Sequence, residues 1–191
     1  MKDRRIVLGS SSKFRQRVLT EMGYTFEIVP PDIDEKAIRF ADPTELTMAI
    51  AQAKALALRE KVTGDAIVIA ADQVLCNKGV IREKPVSPDE AREFLRNSSS
   101  APTECVTSLV VVNVATGKQA SGTDITRVYM RDFPPEVIDH LIVHSEIMDC
   151  AGAVQVENPV FAQYVERIEG TIDSTMGLPK ELTLRLMEEV S

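Results

Sequence analysis

Cysteine is scarce in this chain of 191 residues, with Cys76, Cys105 and Cys150 far apart, odd in number and never in a C-x-x-C pair. A disulfide framework and a cysteine zinc site are therefore not signalled, and a reducing compartment, the cytoplasm, is expected. Long apolar runs are also missing. Ile6-Val7-Leu8 near the amino end is too short for a signal-peptide core, and no later stretch is long enough to span a bilayer, so no membrane partner is expected. Positive charge is in deficit: 22 Lys and Arg against 29 Asp and Glu leave a net charge of −7. That disfavours a nucleic acid polymer or an anionic membrane, both of which need many cations to replace released counterions. Neither G-x-x-x-x-G-K-[ST] nor G-x-G-x-x-G occurs, which removes the P-loop and Rossmann readings.

The composition that remains, 44% hydrophobic and 27% charged, is that of a soluble globular chain, and its length suits one domain over residues 1–191. Short β-branched runs alternate with stretches whose apolar residues lie three and four apart, the pattern of an α/β fold. Strands are expected at Arg5–Leu8, Tyr24–Val29 and Ala66–Ala71, the last ending at Asp72. A hairpin is expected at Val74–Cys76 and Val80–Arg82 around Asn77-Lys78-Gly79, and a long antiparallel pair at Cys105–Val114 and Thr123–Met130. Helices are expected at Ser12–Met22, Pro43–Lys61, Ser87–Arg96, from Pro134 to about His144, and after Pro179. No internal repeat is present.

Residues 1 to 17 hold Lys2, Arg4, Arg5, Lys13, Arg15 and Arg17 against the single acid Asp3, a cationic patch suited to a small anion. Within it, a strand runs through Gly9-Ser10-Ser11-Ser12-Lys13-Phe14-Arg15 into a helix. Gly9 permits close backbone approach, amides of the first helical turn point outward, the hydroxyls donate and Arg15 supplies charge, so a phosphate fits. The plainer reading is that Ser10 or Ser12 only caps the helix. Asp72, at the carboxyl end of a buried strand, stands where open α/β sheets place ligands. With Glu35 and a phosphate oxygen it makes a site for a hard cation, Mg²⁺ or Mn²⁺, and it can also act as a general base. Taken singly, each acid is an ordinary turn or cap residue. Lys54, at the edge of an apolar helix face, and Lys84, held extended by Pro85, are the available cations, although either could be solvated or snorkelling.

Two other features carry less. His140 and His144 are four apart on a helix, but no H-E-x-x-H glutamate lies between them, so they read as surface or core residues. Cys150 has no orienting partner at a diagnostic spacing and reads as an inert thiol.

The segments Leu8–Arg15, Ile33-Asp34-Glu35, Ala53-Lys54-Ala55, Ala71-Asp72-Gln73, Glu83-Lys84-Pro85, Cys150-Ala151-Gly152-Ala153 and Gly177-Leu178-Pro179 resemble, in order and spacing over nearly the whole chain, the Maf family of nucleoside triphosphate pyrophosphatases. The resemblance implies a mixed sheet flanked by helices, like that of the inosine-triphosphate pyrophosphatases (the Maf/Ham1 fold). It also implies divalent-metal-dependent cleavage between the α and β phosphates of a nucleoside triphosphate. By position, Ser10, Ser12, Arg15, Lys54 and Lys84 would hold phosphates, Glu35 and Asp72 the metal, and Asp72 would accept the proton. A homodimer is suggested. The sequence departs from the family's usual Ser-Pro by reading Ser12-Lys13.

At the family positions tied to base choice the chain has Phe14, Gln73 and Glu157, which resemble the 7-methyl-GTP branch rather than the branch acting on TTP and UTP. Chemistry agrees. One carboxylate can accept both N1-H and the exocyclic amine of guanine, whereas uracil would set two carbonyl oxygens against it. The cationic methylated ring gains about 0.5 to 2 kcal/mol over an aromatic face. Whether Gln155 or Glu157 faces the base depends on register, since residues two apart share a strand face. Phe14 could instead be a core residue, and Glu157 a solvated loop acid. The rival functions are a TTP/UTP pyrophosphatase and a nucleotide-binding regulator of cell division with little turnover.

Overall fold

In a computed structural model, which describes residues 4–191, the chain forms a mixed sheet flanked by helices. Lys2 and Asp3 of the amino-terminal patch lie outside the described residues. Among the described residues the sheet has seven strands in the order β2-β1-β3-β5-β6-β7, with β4 paired to β3. These are β1 (Arg5–Leu8), β2 (Phe26–Ile28), β3 (Ala66–Asn77), β4 (Val80–Arg82), β5 (Thr103–Asn113), β6 (Gln119–Met130) and β7 (Val165–Glu169). The helices are α1 (Lys13–Glu21), α2 (Pro43–Lys61), α3 (Pro88–Arg96), α4 (Pro135–His144), α5 (Pro159–Ala162), α6 (Ile172–Thr175) and α7 (Lys180–Glu189). The chain resolves into two compact units, Met1–Asp72 with Thr107–Asp124 and Met176–Ser191, and Gln73–Val106 with Ile125–Thr175.

In the first unit β1 pairs in parallel with β2 and with β3, Leu8 standing opposite both Ile28 and Ile69. Side chains of a strand alternate between faces, and here both faces are buried. Ile6, Leu8, Ile67, Ile69 and Ala71 pack with Val18 and Leu19 of α1 and Leu182, Leu186 and Met187 of α7. Val7, Ala66, Val68 and Ala70 pack on the other side with Ala51, Ala55, Leu58 and Val62. Helix α2 begins where Asp42 accepts from the amides of Thr44 and Glu45 and Pro43 fills the first position. Its buried stripe is Leu46, Thr47, Ile50, Ala51, Lys54, Ala55 and Leu58, the three-and-four spacing of a core-facing helix. A chain of hydroxyls secures it: Thr47 Oγ1 lies 2.8 Å from Ser108 Oγ on β5, which lies 2.8 Å from Thr123 Oγ1 on β6.

Gly9 has a packing role besides the one read in the sequence. A Cβ there would stand 2.2 Å from Leu58 Cδ1, a fully buried side chain, so the glycine admits α2. The cationic patch is also less available than its composition suggests. Arg5 pairs with Glu27 at 2.8 Å and Arg17 with Glu21 at 3.3 Å.

The second unit has its own core, in which Leu75, Ala91, Leu95, Val128, Ile138, Leu141 and Phe161 come together. Its hairpin pairs Asn77 with Val80 across Lys78-Gly79, both at positive φ (52° and 76°), which is the geometry a two-residue turn requires. Ser87 caps α3 by accepting from the Glu90 amide at 3.2 Å. Strand β7, antiparallel to β6, is absent from the sequence reading, because Val-Glu-Arg-Ile-Glu places its two apolar residues three apart, as a helix would.

Candidate active site

Alternation along β3 and periodicity along α2 place two ionisable groups together. Asp72 shares a strand face with Ala66, Val68 and Ala70, the face that α2 covers, and Lys54 lies on the covering face of α2 one turn from Leu58. The Lys54 ammonium donates to Asp72 Oδ1 at 2.9 Å, and its Nζ is 2.9 Å from Glu35 Oε2. Lys54 is buried and does not snorkel, since its side chain is only 7% exposed against 10% for Asp72 and 48% for Glu35. Glu35 opens a 3-10 turn, Glu35–Ala37, whose preceding Asp34 accepts from the Lys36 amide. Lys61, two turns beyond Lys54 on α2, donates to Pro30 O at 2.9 Å and pairs with Asp32, which tethers the loop that carries Glu35.

The structure corrects one premise. Asp72 is not at the end of its strand, for β3 continues to Asn77. It is β1 that leaves the sheet, at Gly9, whose amide donates to Ile69 O at 2.8 Å, and Asp72 stands three residues past that last contact.

Arg15 enters the same cluster from α1. Its Nε donates to Gly177 O at 3.0 Å, and its Nη1 donates to Ala71 O at 3.0 Å and to Ser10 Oγ at 3.2 Å. Ser10 Oγ also accepts from the Ser12 amide at 3.2 Å, so with two donors on its oxygen the Ser10 hydroxyl keeps its own proton to donate. The carbonyls of Ala71 and Gly177 are the functional groups that the sequence could not reveal, because a backbone carbonyl carries no residue signature. Burial raises the Asp72 carboxyl above the usual range, while Lys54 and Arg15 pull it down and Glu35 adds to the rise. Burial also lowers Arg15 from the ordinary guanidinium value, against the charges of Asp72 and Glu35.

Ser10, Arg15, Glu35, Lys54 and Asp72 thus gather in the first unit. Ser12 Oγ accepts from the Arg15 amide at 3.5 Å as the cap of α1, which leaves its hydroxyl proton to donate. Phe14 is partly buried against the core that holds Val18 and Leu19.

Gln73, Lys84 and Glu157 belong to the second unit. Gln73 follows Asp72 on β3, so it turns to the other strand face, and its Nε2 donates to Ser174 O at 2.8 Å. Lys84 is exposed, and both it and Glu157 act electrostatically on Cys150. The segment at 151–157 is not a strand, so the shared-face question does not arise. Ala151–Ala153 is a 3-10 turn in which Gly152 has φ 57°, and the Asn158 amide closes a further turn on Gln155 O at 3.0 Å. Gln155 is buried and accepts from the Glu146 amide at 3.3 Å, whereas Glu157 is half-buried rather than solvated. Burial pushes the Cys150 thiol far up, and the thiol donates to Glu146 O, so it is a poor nucleophile. His140 and His144 are exposed on α4.

Two carboxylate oxygens directed at one positive charge form a donor set that suits a hard divalent cation, with phosphate oxygens and water filling the other positions. Among the described residues no group of three or more His, Cys, Asp or Glu gathers as a metal site, so a substrate would have to complete this one. The arrangement can hold polyphosphate on cations and present a buried carboxylate as a base.

Fold and site together define an α/β protein with a buried acid–base cluster. The chain belongs to the Maf-like protein family, whose model matches residues 5–190. It is 43% identical, over the whole of both chains, to a Dictyostelium discoideum protein named 7-methyl-GTP pyrophosphatase. It is 32% identical to an Alkaliphilus metalliredigens protein named dTTP/UTP pyrophosphatase, over 92% of this chain and 90% of that one. Among solved structures, a HAM1 protein from Coxiella burnetii overlaps 69% of this chain and 75% of its own, with a TM-score of 0.41 at 14% identity. Among the described residues no helix is long and apolar enough to cross a membrane.

Proposed function

We propose that this protein is a nucleoside triphosphate pyrophosphatase that cleaves 7-methyl-GTP between its α and β phosphates, giving 7-methyl-GMP and pyrophosphate and so removing a modified nucleotide. The observation that carries the reading is the buried Lys54 between Asp72 and Glu35, with Arg15 and Ser10 in the same cluster. The 43% identity to the relative named for 7-methyl-GTP supports this substrate over TTP or UTP.

In the proposed reaction Asp72 takes a proton from water as the water attacks the α phosphorus. Burial makes Asp72 a stronger base than an ordinary aspartate, and before substrate binds Lys54 favours its ionised form. Arg15 and Lys54 place positive charge where oxygens gain negative charge, and the Ser10 hydroxyl donates to a phosphate oxygen. Glu35 and Asp72 would hold Mg²⁺ or Mn²⁺, which when bound offsets the charge of the leaving pyrophosphate. Lys84 is assigned to phosphate binding, and Phe14, Gln73 and Glu157 to base choice, on the strength of the family pattern. The half-exposed Phe14 ring offers a face for a cationic base, and Glu157 an acceptor for guanine donors. Residues 1–191 acting as one catalytic domain, a cytoplasmic location and a homodimer complete the proposal.

A second reading, TTP and UTP as substrates, is favoured by the relative named for them. Pyrophosphate release from 7-methyl-GTP, GTP, TTP and UTP with Mg²⁺ or Mn²⁺ tests both. Equal or better efficiency on TTP rejects the first reading, and no release from any of them leaves a nucleotide-binding regulator.

A further inference from the structure

The positive charge that now sits between Glu35 and Asp72 belongs to the protein itself. We infer that Lys54 is a resident counter-ion that closes the two-carboxylate site to a divalent cation until the triphosphate draws its ammonium away. This rests on the reading of the cluster as a metal-dependent pyrophosphatase site.

Three oxygens surround the Lys54 ammonium. Its Nζ donates to Asp72 Oδ1 at 2.9 Å and to Ala71 O at 3.5 Å, and lies 2.9 Å from Glu35 Oε2. Lys54 lies on the buried face of α2 with Ala51, Ala55 and Leu58. A divalent cation on the same two oxygens would stand within a few ångströms of the ammonium. In a buried setting two like charges at that distance repel strongly, and solvent screens little of it. The carboxylate pair therefore holds Lys54 or a metal ion.

A triphosphate offers the ammonium a stronger anionic partner, and its departure frees both oxygens. By linkage, whatever the triphosphate gains from releasing Lys54 the metal gains as well, so the two load together and neither loads well alone.

The test is a Mn²⁺ titration of the nucleotide-free protein, with free Mn²⁺ read by electron paramagnetic resonance, on the wild type, Lys54→Met and Lys54→Gln. With the competing ammonium gone, both variants bind Mn²⁺ about tenfold tighter or more, and adding Glu35→Gln to either cancels the gain. Unchanged or weaker binding by a variant that keeps the native circular dichroism spectrum overturns the inference. Should both variants fold poorly, ¹³C-lysine NMR of the wild type decides. The Lys54 resonance stays in place with Mg²⁺ alone and moves when Mg²⁺ and a non-hydrolysable triphosphate analogue are added together, and a resonance that stays in place with both overturns the inference. Pyrophosphate release by the same wild-type sample separates the two claims. Release without a gain in the variants removes the counter-ion role alone, whereas a gain without release removes the pyrophosphatase reading and leaves the counter-ion role intact.

Discussion

Lys54 Nζ and Asp72 Oδ1 meet at 2.9 Å because two periodicities coincide, the alternation of β3 that turns Asp72 toward α2 and the helical repeat that turns Lys54 toward β3. Such a pair is held by its surroundings. Removing one member leaves the other charged in a buried place, which costs more than the pair itself contributes to stability.

Asp72→Asn keeps the shape and removes the base. Turnover is expected to fall by about 10² to 10⁴, while the dissociation constant for a non-hydrolysable triphosphate analogue, measured without divalent metal, changes only a few-fold. Single-turnover rates and equilibrium titration check the two halves separately, and loss of binding in proportion to turnover would mean that Asp72 holds substrate instead.

The acidic limb of kcat/KM should lie above the range of an exposed aspartate, because burial raises the Asp72 carboxyl. The sign follows from the protonation states. The base must be ionised, so the rate rises with pH through the raised pKa and levels off above it. Lys54 favours the ionised form, so in Lys54→Met the residual activity shows this limb at still higher pH. A limb that stays put or moves down would contradict Lys54 as the group that keeps Asp72 charged.

Gly9→Ala drives a Cβ to within 2.2 Å of Leu58 Cδ1. A loss of about 1 to 3 kcal/mol is expected on urea denaturation. Combined with Leu58→Ala, the loss should be smaller than the sum of the two single losses, because the clash has gone. Additive losses would place the strain elsewhere.

Thr47→Val removes one link of the hydroxyl chain through Ser108 to Thr123. A loss of about 1 to 2 kcal/mol is expected, since Ser108 is left with one partner fewer in a buried site. The midpoint in urea should fall with an unchanged m-value.

Base choice is checked by Phe14→Arg and Glu157→Gln. Each should lower kcat/KM for 7-methyl-GTP by about tenfold more than for UTP. The arginine repels a cationic ring, and the amide loses an acceptor for one of two guanine donors. Equal losses on both substrates would assign these residues to packing.

Much of the site was legible because its residues declare themselves by type. Ser10, Arg15, Glu35, Lys54 and Asp72 stand in short motifs, and strand alternation with helix repeat suffices to bring Lys54 to Asp72. Other features depend on partners that the sequence does not mark. Gly9 is small for the sake of Leu58, the last contact of β1 rather than the end of β3 defines the place of Asp72, and two carbonyls orient Arg15. Strand β7 was hidden by charged residues, as suits a strand at the sheet's edge. The turn at 151–157 was hidden because Val-Gln-Val-Glu alternates like a strand, while the left-handed Gly152 before it turns the backbone away.

The most direct measurement is pyrophosphate release from 7-methyl-GTP with Mg²⁺ by the wild type and by Asp72→Asn, followed with the nucleoside monophosphate as the second product. The account predicts one pyrophosphate for each monophosphate from the wild type and almost none from the variant. Release of single phosphates, or a variant as fast as the wild type, would contradict it.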